Sequence, residues 1–373
     1  MQKPRIKYVH SENLIIESNK NPAVMNRASI VHELIKSYGL LNIIDILVPK
    51  TCKLADLRRF HSEDYLEYLM KASKGEIDSE DEGSVDFGSG FDCPMWDGVF
   101  NYAACIAGAT MTACDELCRG LADIVINWTG EWHHAHRDKA SGYCYVNDIV
   151  LGILVLRKKF DRILYIDLDV HHGDGVQEAF ETTKRVFTLS FHQYEPGFYP
   201  GSGGCEDCGF ATGKGYAVNF PFKSGITGSQ FVTYFKRITT LIIKTYKPQV
   251  CVIQCGGDVI AGDPLGGSNL YPKDLIECIQ IVMQHNLPLI LLGGGGYNFA
   301  NTSRYWTEIT AAVCQQELSD DIPDENDFFL EFGPDYTIQI EKRRMEDFNT
   351  EEYLDGCVNK IEENLKKYDV GSF

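Results

Sequence analysis

A chain of 373 residues with 44% hydrophobic and 24% charged residues carries enough apolar material for a large buried core, so neither disulfides nor a metal are needed for it to fold. The formal net charge of −18 counts against direct nucleic-acid binding, which selects a basic face, and favours cationic partners such as lysine- and arginine-rich polypeptides. The sequence has no apolar run of 18 residues for a membrane span and opens without a signal-peptide core, so a protein of the cytosol or nucleus is expected.

Helical patterns are expected over 27–38 and 62–73. The acidic stretch 76–86, which leads toward Asp92, reads as a solvated loop or as a rim that attracts basic substrates. A long helix over 97–119 precedes the first strong strand, 123–128, which runs into Gly-Glu-Trp-His-His (130–134). A helix over 145–159 leads to strand 162–167 and then Asp-Leu-Asp-Val-His-His-Gly-Asp (167–174). Strands 186–191 and 216–221 follow, the first ending in Ser-Phe-His (190–192). Next come a helix over 229–246, strand 249–254 with Gly-Gly-Asp (256–258), and a helix over 272–286. Strand 288–293 runs into Gly-Gly-Gly-Gly-Tyr (293–297), ahead of a helix over 302–317, an irregular acidic segment 318–335 and a last helix over 350–367.

Strands apolar on both faces, alternating with helices, predict an α/β three-layer sandwich: a mainly parallel central sheet with helices on both faces. No linker, repeat or composition break divides the chain, so residues 1–373 are read as one domain. Thirteen cysteines, an odd number scattered through core-like segments, suit a reducing compartment. Cys205 and Cys208 have CxxC spacing without a second half-site, which leaves a loop with two free thiols or a redox or metal role.

The unusual polar residues all sit just after strands, where open α/β sheets bind ligands. In an extended chain alternate residues share a face, so Asp167, Asp169 and His171 point one way. Asp169 and His171 are positioned to grip one ion, and their oxygen and nitrogen donors suit zinc, iron(II), cobalt or manganese. Asp258 is the candidate third ligand, with Asp263 its rival. A calcium loop is excluded, because imidazoles fall where oxygen ligands belong. The adjacent His133 and His134 diverge too much to share a metal and fit acid/base roles, each held in one tautomer by a carboxylate; Asp167 and Asp174 are available for that. His136 reads as exposed and His172 as structural, while His10, His32, His61 and His285 carry no signal. The glycines at 293–296 lack the Lys-Ser/Thr of a phosphate loop. They let the backbone pass close to a site and present Tyr297, whose phenol either packs or donates to a developing oxyanion.

The motifs Arg-Ala-Ser-Ile-Val-His (27–32), Trp-His-His-Ala (132–135), Ala-Ser-Gly-Tyr-Cys-Tyr-Val-Asn-Asp (140–148), Asp-Leu-Asp-Val-His-His-Gly-Asp-Gly-Val (167–176), Pro-Gly-Phe-Tyr-Pro-Gly-Ser-Gly (196–203), Ala-Gly-Asp-Pro (261–264) and Leu-Gly-Gly-Gly-Gly-Tyr-Asn (292–298) together span most of the chain. In them the sequence resembles the class I zinc-dependent histone deacetylases. The resemblance implies the arginase/deacetylase-like fold and removal of acetyl, or longer acyl, groups from lysine side chains of histones and other proteins, in nucleus and cytoplasm. It further implies Zn2+, with Fe2+ the alternative, on Asp169, His171 and Asp258. His133, His134, Asp167, Asp174 and Tyr297 take the catalytic positions, and Asp92, Gly142, Tyr143, Tyr199 and Leu265 the substrate-binding ones. K+ is expected at Asp167, Asp169, His171, Ser190 and Phe191, and Arg27 matches the arginine of an inner cavity. Partners implied are acetylated lysine tails and hydroxamate-type inhibitors that bind the zinc, with no nucleic acid and no membrane.

The sequence departs from the family pattern in places. Glu131 stands where class I members usually have glycine, Tyr143 and Tyr199 stand where phenylalanine is common, and Gly257, Gly266 and Gly267 replace larger residues. The rival readings are an acetylpolyamine deacetylase on the same scaffold and a catalytically dead binding module. An arginase-like site would need a second set of bridging carboxylates, which the sequence lacks.

Overall fold

Runs of valine, isoleucine and leucine form strands that are covered from both sides. In the computed structural model, which describes residues 3–77, 85–90 and 92–371, eight strands make one sheet. They are β1 (Ile6–Val9), β2 (Asp45–Leu47), β3 (Ile124–Asn127), β4 (Ile163–Asp167), β5 (Val186–Gln193), β6 (Ala217–Phe222), β7 (Val250–Gln254) and β8 (Leu289–Leu292). Their order is β2-β1-β3-β8-β7-β4-β5-β6, and every pairing is parallel. The six expected strands are all present. β1 and β2 were not expected. They span four and three residues, and Lys7 interrupts the first while Asp45 and Ile46 of the edge strand are exposed.

Alternation within the strands divides the interior into two layers. Leu164 and Ile166 face one core, with α2 (Arg27–Ser37) and the four later helices, while Ile163 and Tyr165 face the other. That second core holds α1 (Glu12–Ser18), α3 (Leu54–Leu57), α4 (Glu63–Ala72), α5 (Val99–Cys118), α6 (Asp148–Leu156) and α7 (Asp174–Phe180). The first is closed by α8 (Gly228–Tyr246), α9 (Pro272–Met283), α10 (Phe299–Val313) and α11 (Glu351–Lys367). This is the three-layer α/β sandwich expected. α1, α3 and α7 are too short to show a clear period and were missed. α6 is buried almost all round, as a helix packed between α5 and the sheet must be.

All thirteen cysteines are free thiols, and Cys205 and Cys208 are half-buried, which fits the free-thiol reading of that loop. Most of the acidic stretch 76–86, residues 78–84, lies outside the described residues. Among the described residues, no helix is long and apolar enough to cross a membrane. The neighbours β3, β8, β7 and β4 all point their carboxyl ends at one edge, where the chain's path through the sheet reverses.

Candidate active site

β4 ends at Asp167, and the next residues keep its alternation. Leu168 and Val170 are fully buried in the core, while Asp169 and His171 project to the opposite side. Asp258 lies on a single 3₁₀ turn (Gly257–Val259) just after β7. Ligand atoms of Asp169, His171 and Asp258 fall within 4.8 Å of one another, and all three residues are buried. Asp169 Oδ2 accepts from Gln254 Nε2 and the Gly295 N–H, both at 2.8 Å, and Asp258 Oδ1 accepts from the Val170 N–H at 3.1 Å. The remaining oxygens, Asp169 Oδ1 and Asp258 Oδ2, face His171 Nδ1 at 3.1 and 3.2 Å. A β-carbon at Gly256 would lie 2.3 Å from Asp169 Oδ2, and one at Gly295 would lie 1.8 Å from Asp258 Oδ2, so only glycine lets both loops approach this closely.

Burial opposes charge on every member of this triad. It disfavours the His171 imidazolium, yet hydrogen bonds and charge from Asp169 and Asp258 outweigh it and push the group up to about 10. Asp169 is held well below the carboxylate range despite its burial, by His133 and His171, and burial with the charge of Asp169 pushes Asp258 up to about 7. Two buried carboxylates beside one imidazole form a group that could hold a metal ion on O, O and N donors. Asp263 is not part of the set. Its carboxylate accepts from the N–H groups of Tyr297 (2.7 Å), Asn298 (3.0 Å) and Leu265 (2.9 Å), and so pins the glycine-rich loop that presents Tyr297.

The histidine pair rides on the loop after β3. Asp148, the first residue of α6, accepts from the N–H groups of Glu131 and Trp132 at 3.3 and 2.9 Å. Asn147 caps α6 through Val150 N and also donates to the carbonyls of His133 and Ala135. His133 Nδ1 meets Asp167 Oδ2 at 2.8 Å, and His134 Nδ1 meets Asp174 Oδ1 at 2.7 Å. These are the partners expected from sequence. Burial opposes charge on His133, but Asp167 and Asp169 raise it to about 9; burial and the neighbouring His133 lower His134 to about 4. Asp174, resisting burial through His134, is held at about 2. The neighbouring carboxylates thus favour the cationic form of His133 while burial favours the neutral form of His134, the kind of separation that acid/base chemistry uses.

A cavity of about 310 Å3 leads to this cluster. Asp92, Tyr199 and Leu265 stand at its mouth, and Tyr199 and Leu265 are each 39% exposed. Tyr143 and Phe198 wall it, and His134, His171 and Tyr297 close its inner end. Phe198 stacks on His171 with centroids 5.3 Å apart, and Tyr143 meets Tyr297 edge-on at 5.6 Å. Asp92 Oδ2 accepts from the Gly142 N–H at 3.2 Å. The hydroxyl of Tyr199 is turned onto Ser141 Oγ at 2.6 Å. Burial and the nearby carboxylates of Asp258 and Asp169 raise the Tyr297 phenol well above its ordinary value, so it stays a donor.

Other residues act behind these. The phenol of Tyr165 donates to Asp167 Oδ2 at 2.6 Å, beside His133. His136 is not exposed as expected: it is half-buried, bonded to Glu178 and 3.7 Å from Asp174. His172 is structural as expected, bridging Ser202 and Gln177. Ser190 pairs in register with Asp167, and its hydroxyl contacts His192 Nδ1 at 2.8 Å; Phe191 is fully buried. Buried Arg27 donates to the carbonyls of Gly294 and Gly296 and to the carboxylate of Glu131, which burial drives up to about 8 against the pull of Arg27. Sequence reasoning missed Gln254, Tyr165 and Phe198, and the only signal was their position next to motif residues. It missed Asn147 and Asp148 because they look like an ordinary helix start.

Residues 21–313 match the histone deacetylase domain model. The chain is 45% identical to histone deacetylase 8 of Danio rerio over 96% of this chain and 94% of that protein, and 42% identical to histone deacetylase 8 of Xenopus tropicalis over 96% and 97%. It is 39% identical to histone deacetylase 1 of Homo sapiens over 93% of this chain and 71% of the relative. The chain belongs to the histone deacetylase family and is a lysine deacetylase.

Proposed function

We propose that this enzyme hydrolyses the acetyl amide of lysine side chains in histones and other proteins, with Asp169, His171 and Asp258 holding one zinc or iron(II) ion. The observation that carries this reading is the convergence of the triad, His134 and Tyr297 at the inner end of one cavity. When bound, the ion supplies Lewis acidity, polarising the amide carbonyl and lowering the pKa of the attacking water. His134 accepts that water's proton and later delivers it to the leaving amine, while Asp174 fixes Nδ1 as the donor so that Nε2 is the working nitrogen. His133, charged beside Asp167, adds electrostatic support, and the Tyr297 phenol donates to the oxygen that gains charge.

The substrate roles follow from position. Asp92 at the rim and Gly142 hold the peptide backbone and amide, Tyr143 and Tyr199 flank the lysine methylenes, and Leu265 lies at the mouth. A potassium ion is proposed beside the triad, on oxygens of Asp167, Asp169, His171, Ser190 and Phe191; the register of Ser190 with Asp167 supports it. Hydroxamates would reach the metal through the same cavity. Residues 1–373 act as a single catalytic domain, in nucleus and cytoplasm, and the net charge of −18 favours basic tails over nucleic acid. The test offers the purified enzyme an acetylated histone-tail peptide and an N-acetylated polyamine in parallel. Metal-dependent acetate release from the peptide is expected, and release from the polyamine alone would overturn the protein-substrate reading.

A further inference from the structure

The catalytic cavity narrows into a much smaller space lined by Asp169, His171 and Tyr297 together with Arg27, Glu131 and Gly294. This inner chamber shares His134, Gly142, His171 and Tyr297 with the entrance tunnel, but its volume is only about 20 Å3. By that measure a single water needs roughly 10–15 Å3, so the chamber admits one methyl-sized group. A lysine side chain entering past Asp92 and Leu265, with its amide at the triad, would carry its acyl tail toward this chamber.

Glu131 and Arg27 line the chamber, and both are at least nine-tenths buried. The guanidinium of Arg27 is fixed by the Gly294 carbonyl at 3.1 Å, the Gly296 carbonyl at 3.0 Å and the carboxylate of Glu131. It also lies 5.1 Å above the Trp306 ring. The oxygen that meets Arg27, Glu131 Oε2, also lies close to Gly293, where a β-carbon would come within 3.1 Å of it. Its own N–H is held by Asp148. The pair therefore does not swing aside as an apolar side chain would, because moving Glu131 takes from the buried Arg27 guanidinium the carboxyl group that accepts from it.

We infer that Glu131, locked onto Arg27, forms the floor of the acyl pocket and confines the enzyme to lysines bearing the shortest acyl groups. This rests on the deacetylase reading above and names the specificity of the same site. An acetyl methyl fills the chamber. The two further methylenes of a butyryl group have no room, and a mismatch of one methylene in a fixed pocket is worth roughly 10–200-fold in discrimination. Glycine at 131 would remove the whole side chain from the floor, with Arg27 still held by the Gly294 and Gly296 carbonyls.

The experiment measures kcat and KM for one peptide carrying acetyl-, propionyl-, butyryl- or hexanoyl-lysine, with the wild type, Glu131→Gly and Glu131→Gln. The wild type is expected to lose at least about tenfold in kcat/KM between acetyl and butyryl. Glu131→Gly should raise the butyryl-to-acetyl ratio by about tenfold or more, through a lower KM for the longer chain, whereas Glu131→Gln, of equal volume, keeps the wild-type ratio. A wild type that accepts butyryl- or hexanoyl-lysine as readily as acetyl-lysine would overturn the inference, and that series needs no variant to fold. An unchanged ratio in a folded Glu131→Gly protein would overturn it equally. Absence of turnover on the acetylated peptide itself would instead remove the deacetylase reading, and this inference with it.

Discussion

Asp258 and Asp263 are near neighbours in sequence, but their carboxylates do different work, and substituting each separates the roles. Asp263→Asn keeps the size of the side chain. Its amide oxygen can still accept from Tyr297 and Asn298, but its nitrogen then meets the Leu265 N–H, donor against donor. One part-buried backbone N–H loses its acceptor, at a cost of about 1 kcal/mol. Asp263→Ala strips all three contacts, for a loss of roughly 3 kcal/mol before relaxation, against the about 5–15 kcal/mol that holds a typical domain. The loosened segment is the one that presents Tyr297. Activity of the Asn variant should therefore fall about 10–100-fold while the bound metal is retained. Asp258→Asn removes one of the two triad carboxylates, and most of the metal should go with it. The assay is metal content by plasma mass spectrometry after dialysis, paired with thermal melts and peptide kinetics. Metal loss from Asp263→Asn as complete as that from Asp258→Asn would refute this division of labour.

Tyr297→Phe should keep the fold and the metal yet lower kcat about 10²–10³-fold, as expected for one oxyanion donor; unchanged catalytic efficiency would remove its role. His61 is buried and neutral, accepting from the Asn147 N–H at 3.0 Å, and burial pushes it down to about 4. The unfolded chain takes up a proton near 6.5 while the folded chain does not, so stability is lost as pH falls from that value toward 4, by about 2 kcal/mol between pH 7 and 5. Urea titrations at both pH values should show this loss in the wild type and a smaller one in His61→Gln, and equal losses would contradict the assignment. Leu151, fully buried in α6 between α5 and the sheet, should cost about 2–5 kcal/mol when changed to Ala, measurable by the same titrations, without altering metal content.

Periodicity in the sequence was enough for the layers of the fold, because β3 to β8 are buried on both faces and several of them read as apolar runs. β1 escaped because Lys7 interrupts it, and that lysine is stabilised by Glu116 of α5, a contact no local pattern reveals. At the site, the parity of a strand was enough to bring Asp169 and His171 to one side, and adjacency in sequence to bring His133 and His134 together. Choosing between Asp258 and Asp263 required three dimensions, since both follow glycines and only the fold shows which carboxylate turns to the triad and which to the Tyr297 loop. His136 misled for a related reason: flanked by exposed Arg137, it looks like a surface residue, yet α7 brings Glu178 and Asp174 against it. The union of Glu131 with Arg27, residues from opposite ends of two motifs, is equally a product of the fold.

One ion on Asp169, His171 and Asp258 is proposed to make the acetyl-lysine amide hydrolysable. The measurement that tests it most directly strips the protein of metal and titrates zinc or iron(II) back, following acetate release from an acetylated peptide. Activity should be absent from the stripped protein and return in proportion to bound ion, reaching its plateau at one equivalent per chain. Turnover that survives stripping, or a plateau reached only at two equivalents, would contradict the account.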